Sequence, residues 1–116
     1  MLNEKRYPRF PMSGLVFGKV REPGMQFSGT LELISLSGIG IYTSEKIEKG
    51  VVVDLHIVTS DGSKSIDVQI TGVITNTERL QKFGILGVQF DRLISSENHS
   101  HLYNYLINEA RKLGKG

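Results

Sequence analysis

From residue 12 to residue 90 the chain alternates apolar and polar side chains with a period of two, the pattern of strands with one buried face. The first strand carries Leu15, Phe17 and Val20 and ends near Arg21, with Lys19 outward. E-P-G-M (residues 22–25) turns the chain through Pro23 and Gly24. Further strands follow over Phe27–Ile34, with Phe27, Leu31 and Leu33 on the inner face, and over Ile39–Thr43, Val51–Val58, Ser65–Thr75 and Phe83–Phe90. S-D-G-S (residues 60–63) signals a hairpin, Ser44–Gly50 a polar connection, and Thr75–Lys82 a polar turn. Thirteen glycines in the chain suit a bent, closed sheet better than a flat one.

The period then changes. Leu102, Tyr105, Leu106, Ala110 and Leu113 follow three-four spacing, which predicts a helix over residues 95–113 with Ser95 or Ser96 at its start and Gly114 beyond its end. Arg111 and Lys112 fall in the last turn, where the helix dipole favours cations. Six strands and one amphipathic helix describe a mostly β chain, a small barrel with a helix laid across it. With 116 residues, one domain is expected: a basic arm over 1–11, a barrel over 12–90 and the helix.

The chain has no cysteine, so disulfides and thiolate metal sites are excluded. It has no membrane-length apolar run and no signal-peptide pattern at its start, and a cytoplasmic location is expected. The net charge of +2 is unevenly spread. Residues 1–21 carry five Lys or Arg against one Glu, residues 22–108 six against ten acids, and residues 109–116 three against one. Basic ends around an acidic body do not make a nucleic-acid footprint on the folded face. The few possible stacking groups, Tyr7, Phe10, Phe17 and Tyr42, also rank an RNA or single-stranded DNA binder low.

Enzyme readings lack parts. His56 falls inside a strand, and His99 and His101 are two apart near the helix start, where they cannot pinch one metal. Glu45 and Glu48 belong to a polar connection. S-D-G-S lacks the further acids of a calcium loop, and no phosphate-loop lysine pattern occurs. The chain is expected not to be an enzyme and to need no metal or cofactor.

Two segments stand apart from routine strand and turn material. In K-R-Y-P-R (residues 5–9), Pro8 restrains its own backbone and biases Tyr7 to an extended shape. Lys5, Arg6 and Arg9 then sit on a stiffened arm, and the arginine fork suits phosphate and stacks on bases. A solvated basic tail is the plain alternative. In L-I-S-L-S-G-I-G-I (residues 33–41), Ser35, Ser37, Gly38 and Gly40 lie between two strands, where hydroxyls and bare amides can hold a phosphate oxygen. The plain alternative is a tight connection in which serine bonds its own backbone and glycine supplies positive φ.

Together and in this order, K-R-Y-P-R-F, S-L-S-G-I-G-I and the closing G-I-L-G-V-Q-F before the helix resemble the PilZ domain family over nearly the whole chain. The resemblance implies a six-stranded antiparallel β-barrel, the PilZ-like split barrel, with a C-terminal α-helix. It also implies a receptor for the bacterial second messenger cyclic di-GMP, whose binding signature is an R-x-x-x-R arm and a D/N-x-S-x-x-G turn. Arg9 matches the second arginine, and the first falls on Lys5, with Arg6 beside it. In the turn Ser35 and Gly38 match, and the acid or amide position falls on Leu33. A shifted register pairs Ser37 with Gly40 and puts Ser35 there instead.

In the receptor reading, Arg9 with Lys5 or Arg6 clamps the phosphates, and Ser35, Ser37 and Gly38 close the opposite side. Binding orders the arm and relays a change to a protein partner in a motility, pilus or exopolysaccharide system. The alternative is a PilZ-like protein-interaction module without a nucleotide, which the missing Asp or Asn favours.

Overall fold

The computed structural model describes residues 7–115. Six strands form, β1 (Phe10–Val20), β2 (Gln26–Ile34), β3 (Gly38–Thr43), β4 (Val52–Ser60), β5 (Ser65–Leu80) and β6 (Phe83–Phe90), followed by helix α1 (Ser100–Lys115). Every pairing is antiparallel, and the order β1-β2-β3-β6-β5-β4 closes on itself as a barrel. Closure leaves no unpaired sheet edge.

The barrel interior is mainly aliphatic, with Phe10, Phe27 and Phe90 in the same core. Val16, Ile34, Ile41, Val53, Ile57 and Ile74 have no solvent exposure. In β1 the inward positions are Met12, Val16, Gly18 and Val20, so Leu15 and Phe17 point outward. Gly18 is a packing requirement, because a Cβ there would lie 2.3 Å from the Phe27 ring that fills the space. In β2 Phe27 and Leu31 face inward as the alternation predicts, but Leu33 does not share their burial and Ile34 replaces it. The cause is a bulge: the β2–β3 register passes from Leu31↔Ile41 to Leu33↔Gly40 and leaves Glu32 unpaired.

The end of β5 and both ends of the helix differ from the sequence reading. Thr75–Leu80 continues β5, and the chain reverses only at Gln81 and Lys82, with Gln81 at φ 60°. The helix begins at Ser100 rather than Ser95 and runs through Gly114 to Lys115 rather than ending before Gly114. Ser95 instead shapes a separate turn, its Oγ accepting from the amides of Glu97 and Asn98. The first helical amide bond then runs from Tyr103 to the His99 carbonyl.

Leu102 and Leu106, one turn apart on α1, are buried with Ile94 in the same core as the strands. The helix is also tied to the β4–β5 hairpin, where His101 Nε2 lies 2.8 Å from Asp61 Oδ2. Asp61 Oδ1 accepts the amides of Lys64 and Ser63 at 2.8 and 2.9 Å. Those backbone amides, and then His101, hold the Asp61 carboxyl well below the usual carboxylate range. A depressed carboxyl contributes stability that is present above its unfolded pKa of about 3.9 and lost as pH falls below it. Asp61→Ala is therefore expected to lower the melting temperature at pH 7, and the gap to the parent chain should narrow as pH drops below about 4. A gap that is constant with pH would contradict this.

Candidate functional site

A cleft of about 700 Å3 lies on the outer surface of the β2, β3, β6 and β5 wall. Its lining brings together residues far apart in sequence: Tyr7 and Arg9 before β1, Ser35, Ser37 and Gly38 from the β2–β3 turn, and Asn76 and Gln89 from β5 and β6. Arg9 is placed there by strand pairing. Phe10 pairs with Ile34, so the residue before β1 runs alongside the residue after β2, Ser35. The strand begins at Phe10, two residues earlier than the alternation suggests, and this anchors the end of the basic segment to the barrel. Arg9 is exposed, and none of the four ion pairs among the described residues involves it. Lys5 and Arg6 lie outside the described residues.

The turn is held by its own serines. The Ser35 amide donates to the Gly38 carbonyl at 2.9 Å, and the Ser37 amide donates to Ser35 Oγ at 3.1 Å. Ser35 Oγ lies 3.2 Å from Ser37 Oγ, and Ser35 is 5% exposed. Its hydroxyl shapes the bend, while half-buried Ser37 presents the more accessible hydroxyl. Positive φ is not what requires Gly38, since the glycines in that region are Gly24, Gly50 and Gly62. Close approach is the requirement: a Cβ on Gly38 would lie 2.2 Å from the Val88 carbonyl oxygen of β6.

The cleft floor follows from register. Leu33, Gly40, Gly87 and Asn76 form one cross-strand row, with Gly40 directly opposite Gly87. Neither glycine projects a side chain, so the row is a low stretch of floor about two strand spacings wide, near 10 Å, bordered closely by Glu32 Oε1 and Asn76 Cβ. Leu33 borders it on one side and Asn76 on the other. Bulges at Glu32 in β2 and Thr75 in β5 flank the row. Such a floor accepts a flat ring, with Arg9 and the turn at one end for an anion.

Glu32, Asn76 and Gln89 were not singled out by the sequence reading. Their grouping depends on β6 lying between β3 and β5, which no local pattern reveals. Glu32 Oε1 would lie 3.3 Å from a Cβ on Gly40, so its carboxylate reaches over the floor. The same carboxylate holds the neighbouring Tyr42 phenol above its ordinary range. Among the described residues, no three His, Asp or Glu side chains come together as metal ligands. No helix among them is long and apolar enough to cross a membrane.

The comparisons with known proteins bear on the family and the fold. The family model described as PilZ domain matches residues 3–108. The fold is similar to Bacillus subtilis inhibitor of motility (MotI/DgrA), with TM-score 0.73 and 15% identity, over 98% of this chain and 54% of that one. It is similar to the PilZ domain of Escherichia coli YcgR, solved with c-di-GMP, with TM-score 0.64 and 14% identity, over 97% and 98% of the two chains. The chain thus spans about half the length of the MotI chain. No curated protein matches it by sequence.

Proposed function

This chain belongs to the PilZ domain family, whose members are binding modules rather than enzymes, and on that footing we propose that it is a receptor for cyclic di-GMP. The observation that carries the proposal is the meeting of Arg9 and the Ser35–Gly38 turn at one cleft over a glycine floor. Arg9 supplies a planar fork for a phosphate and a flat cation for stacking on a purine. Ser37 and the turn backbone take a second phosphate oxygen, and Lys5 or Arg6 adds the further positive charge that a doubly anionic ligand calls for. Leu33 stands where the family signature has Asp or Asn, and it offers the ligand an apolar contact instead of a hydrogen bond. The YcgR domain, similar in fold, carries c-di-GMP in its solved structure, which supports the reading.

The output is a change of surface. A bound dianion covers the cleft and adds two negative charges to that surface, which a protein partner can sense. A motility system is the partner class that the likeness to a motility inhibitor supports. Calorimetric titration of the chain with cyclic di-GMP tests the proposal: saturable heat at one ligand stoichiometry is expected. A flat trace up to millimolar ligand would end the receptor reading and leave the protein-interaction module.

A further inference from the structure

We infer that Glu32 is the specificity-determining residue of the cleft, selecting guanine by accepting hydrogen bonds from its base edge. The inference rests on the receptor reading above and names the group that reads the base. Among the described residues that line the cleft, Arg9 and Glu32 are the two with formal charge, and they have opposite signs. A ligand matching both must offer an anion to one and hydrogen-bond donors to the other.

Alternation from buried Leu31 turns Glu32 outward, and the bulge leaves Leu33 on the same face beside it. Glu32 has no partner in β3, because the register passes directly from Leu31↔Ile41 to Leu33↔Gly40. Its carboxylate lies over Gly40, and Gly40 faces Gly87 across the floor, so a ring resting on those glycines meets the carboxylate at its rim. Guanine presents N1–H and a 2-amino N–H side by side, and two carboxylate oxygens accept both. Adenine presents an unprotonated N1 at that position, whose lone pair faces carboxylate lone pairs and is repelled. A half-buried carboxylate thereby both favours one base and disfavours the other. Leu33 cannot perform either task, and Glu32, next to it in sequence, faces the same side because Leu31 before it is buried, with its carboxylate beside the Leu33–Gly40 pair.

Calorimetry with cyclic di-GMP, cyclic di-IMP and cyclic di-AMP tests the assignment. Cyclic di-IMP keeps N1–H and lacks the 2-amino group. The parent chain is expected to bind cyclic di-GMP about tenfold or more tightly than cyclic di-IMP, and to bind cyclic di-AMP more weakly still. In Glu32→Ala the preference for cyclic di-GMP over cyclic di-IMP is expected to vanish, with the melting transition retained. Equal affinities of the parent chain for cyclic di-GMP and cyclic di-IMP would overturn the role of Glu32 without any substitution being made. An unchanged preference in Glu32→Ala would overturn it while the receptor reading stands. No heat from the parent chain with any of the three would remove both.

Discussion

Arg9→Ala is expected to weaken cyclic di-GMP binding by about ten- to a hundredfold, the range for losing a hydrogen-bonding partner of a charged group. Arg9 is exposed at the cleft and takes part in none of the ion pairs among the described residues, so its removal breaks no such pair. The stability change should stay within about 0.5 kcal/mol, as for surface substitutions. Arg9→Lys separates charge from geometry. Lysine keeps the charge and loses the two-pronged fork and the stacking plane, so its affinity should fall between parent and alanine. Titration of the three chains at one salt concentration makes the comparison. Equal affinities for parent and Arg9→Ala would place the anion elsewhere.

Gly38→Ala should act on the fold rather than on the ligand. The added Cβ would lie 2.2 Å from the Val88 carbonyl oxygen and 3.2 Å from its carbon, and a backbone group cannot rotate away as a side-chain end can. β3 must separate from β6 at the end of their ladder, near the bond from the Phe90 amide to the Ser37 carbonyl. Overpacking against fixed atoms costs about 1–3 kcal/mol, a large share of a domain's total stability. Gly40→Ala is the control, since its nearest neighbours are the flexible end of Glu32 at 3.3 Å and Leu33 Cβ at 3.9 Å. It should fold normally and cover part of the cleft floor. Urea denaturation distinguishes the pair, and similar midpoints for both would refute the close-approach account.

The barrel was legible because four of its six strands, β1, β3, β4 and β6, keep one face on the core throughout their length, and burial imposes the period-two pattern. The other two show the limit. T-N-T-E-R-L, residues 75–80, has no apolar face, and its residues are all exposed on the β5–β6 hairpin, so alternation has nothing to mark. The error at Leu33 has a different cause, since one extra residue in β2 reverses the side on which later residues fall. In the helix segment, Ser95 does use its hydroxyl on backbone amides, but in a turn that precedes the helix.

For the site, the arm and the turn could be found in the sequence because each is a contiguous motif. Arg9, Ser35, Ser37 and Gly38 do line one cleft, although Gly38 is required by its approach to β6 and Ser35 by its bend. Glu32, Asn76 and Gln89 were not legible, because strand order and two bulges bring them together. The glycine floor was half visible. Gly40 belongs to the serine–glycine segment that the sequence marks, but its pairing with Gly87 depends on the β3–β6 register.

The most direct measurement is the titration with cyclic di-GMP followed amide by amide by NMR. Resonances of Ser37, Gly38, Gly40 and Gly87 should shift together and saturate, while those of Leu15, Phe17 and His56 on the far wall of β1 and β4 stay in place. Shifts gathered on the β1–β4 wall, with the glycine row unmoved, would contradict the account.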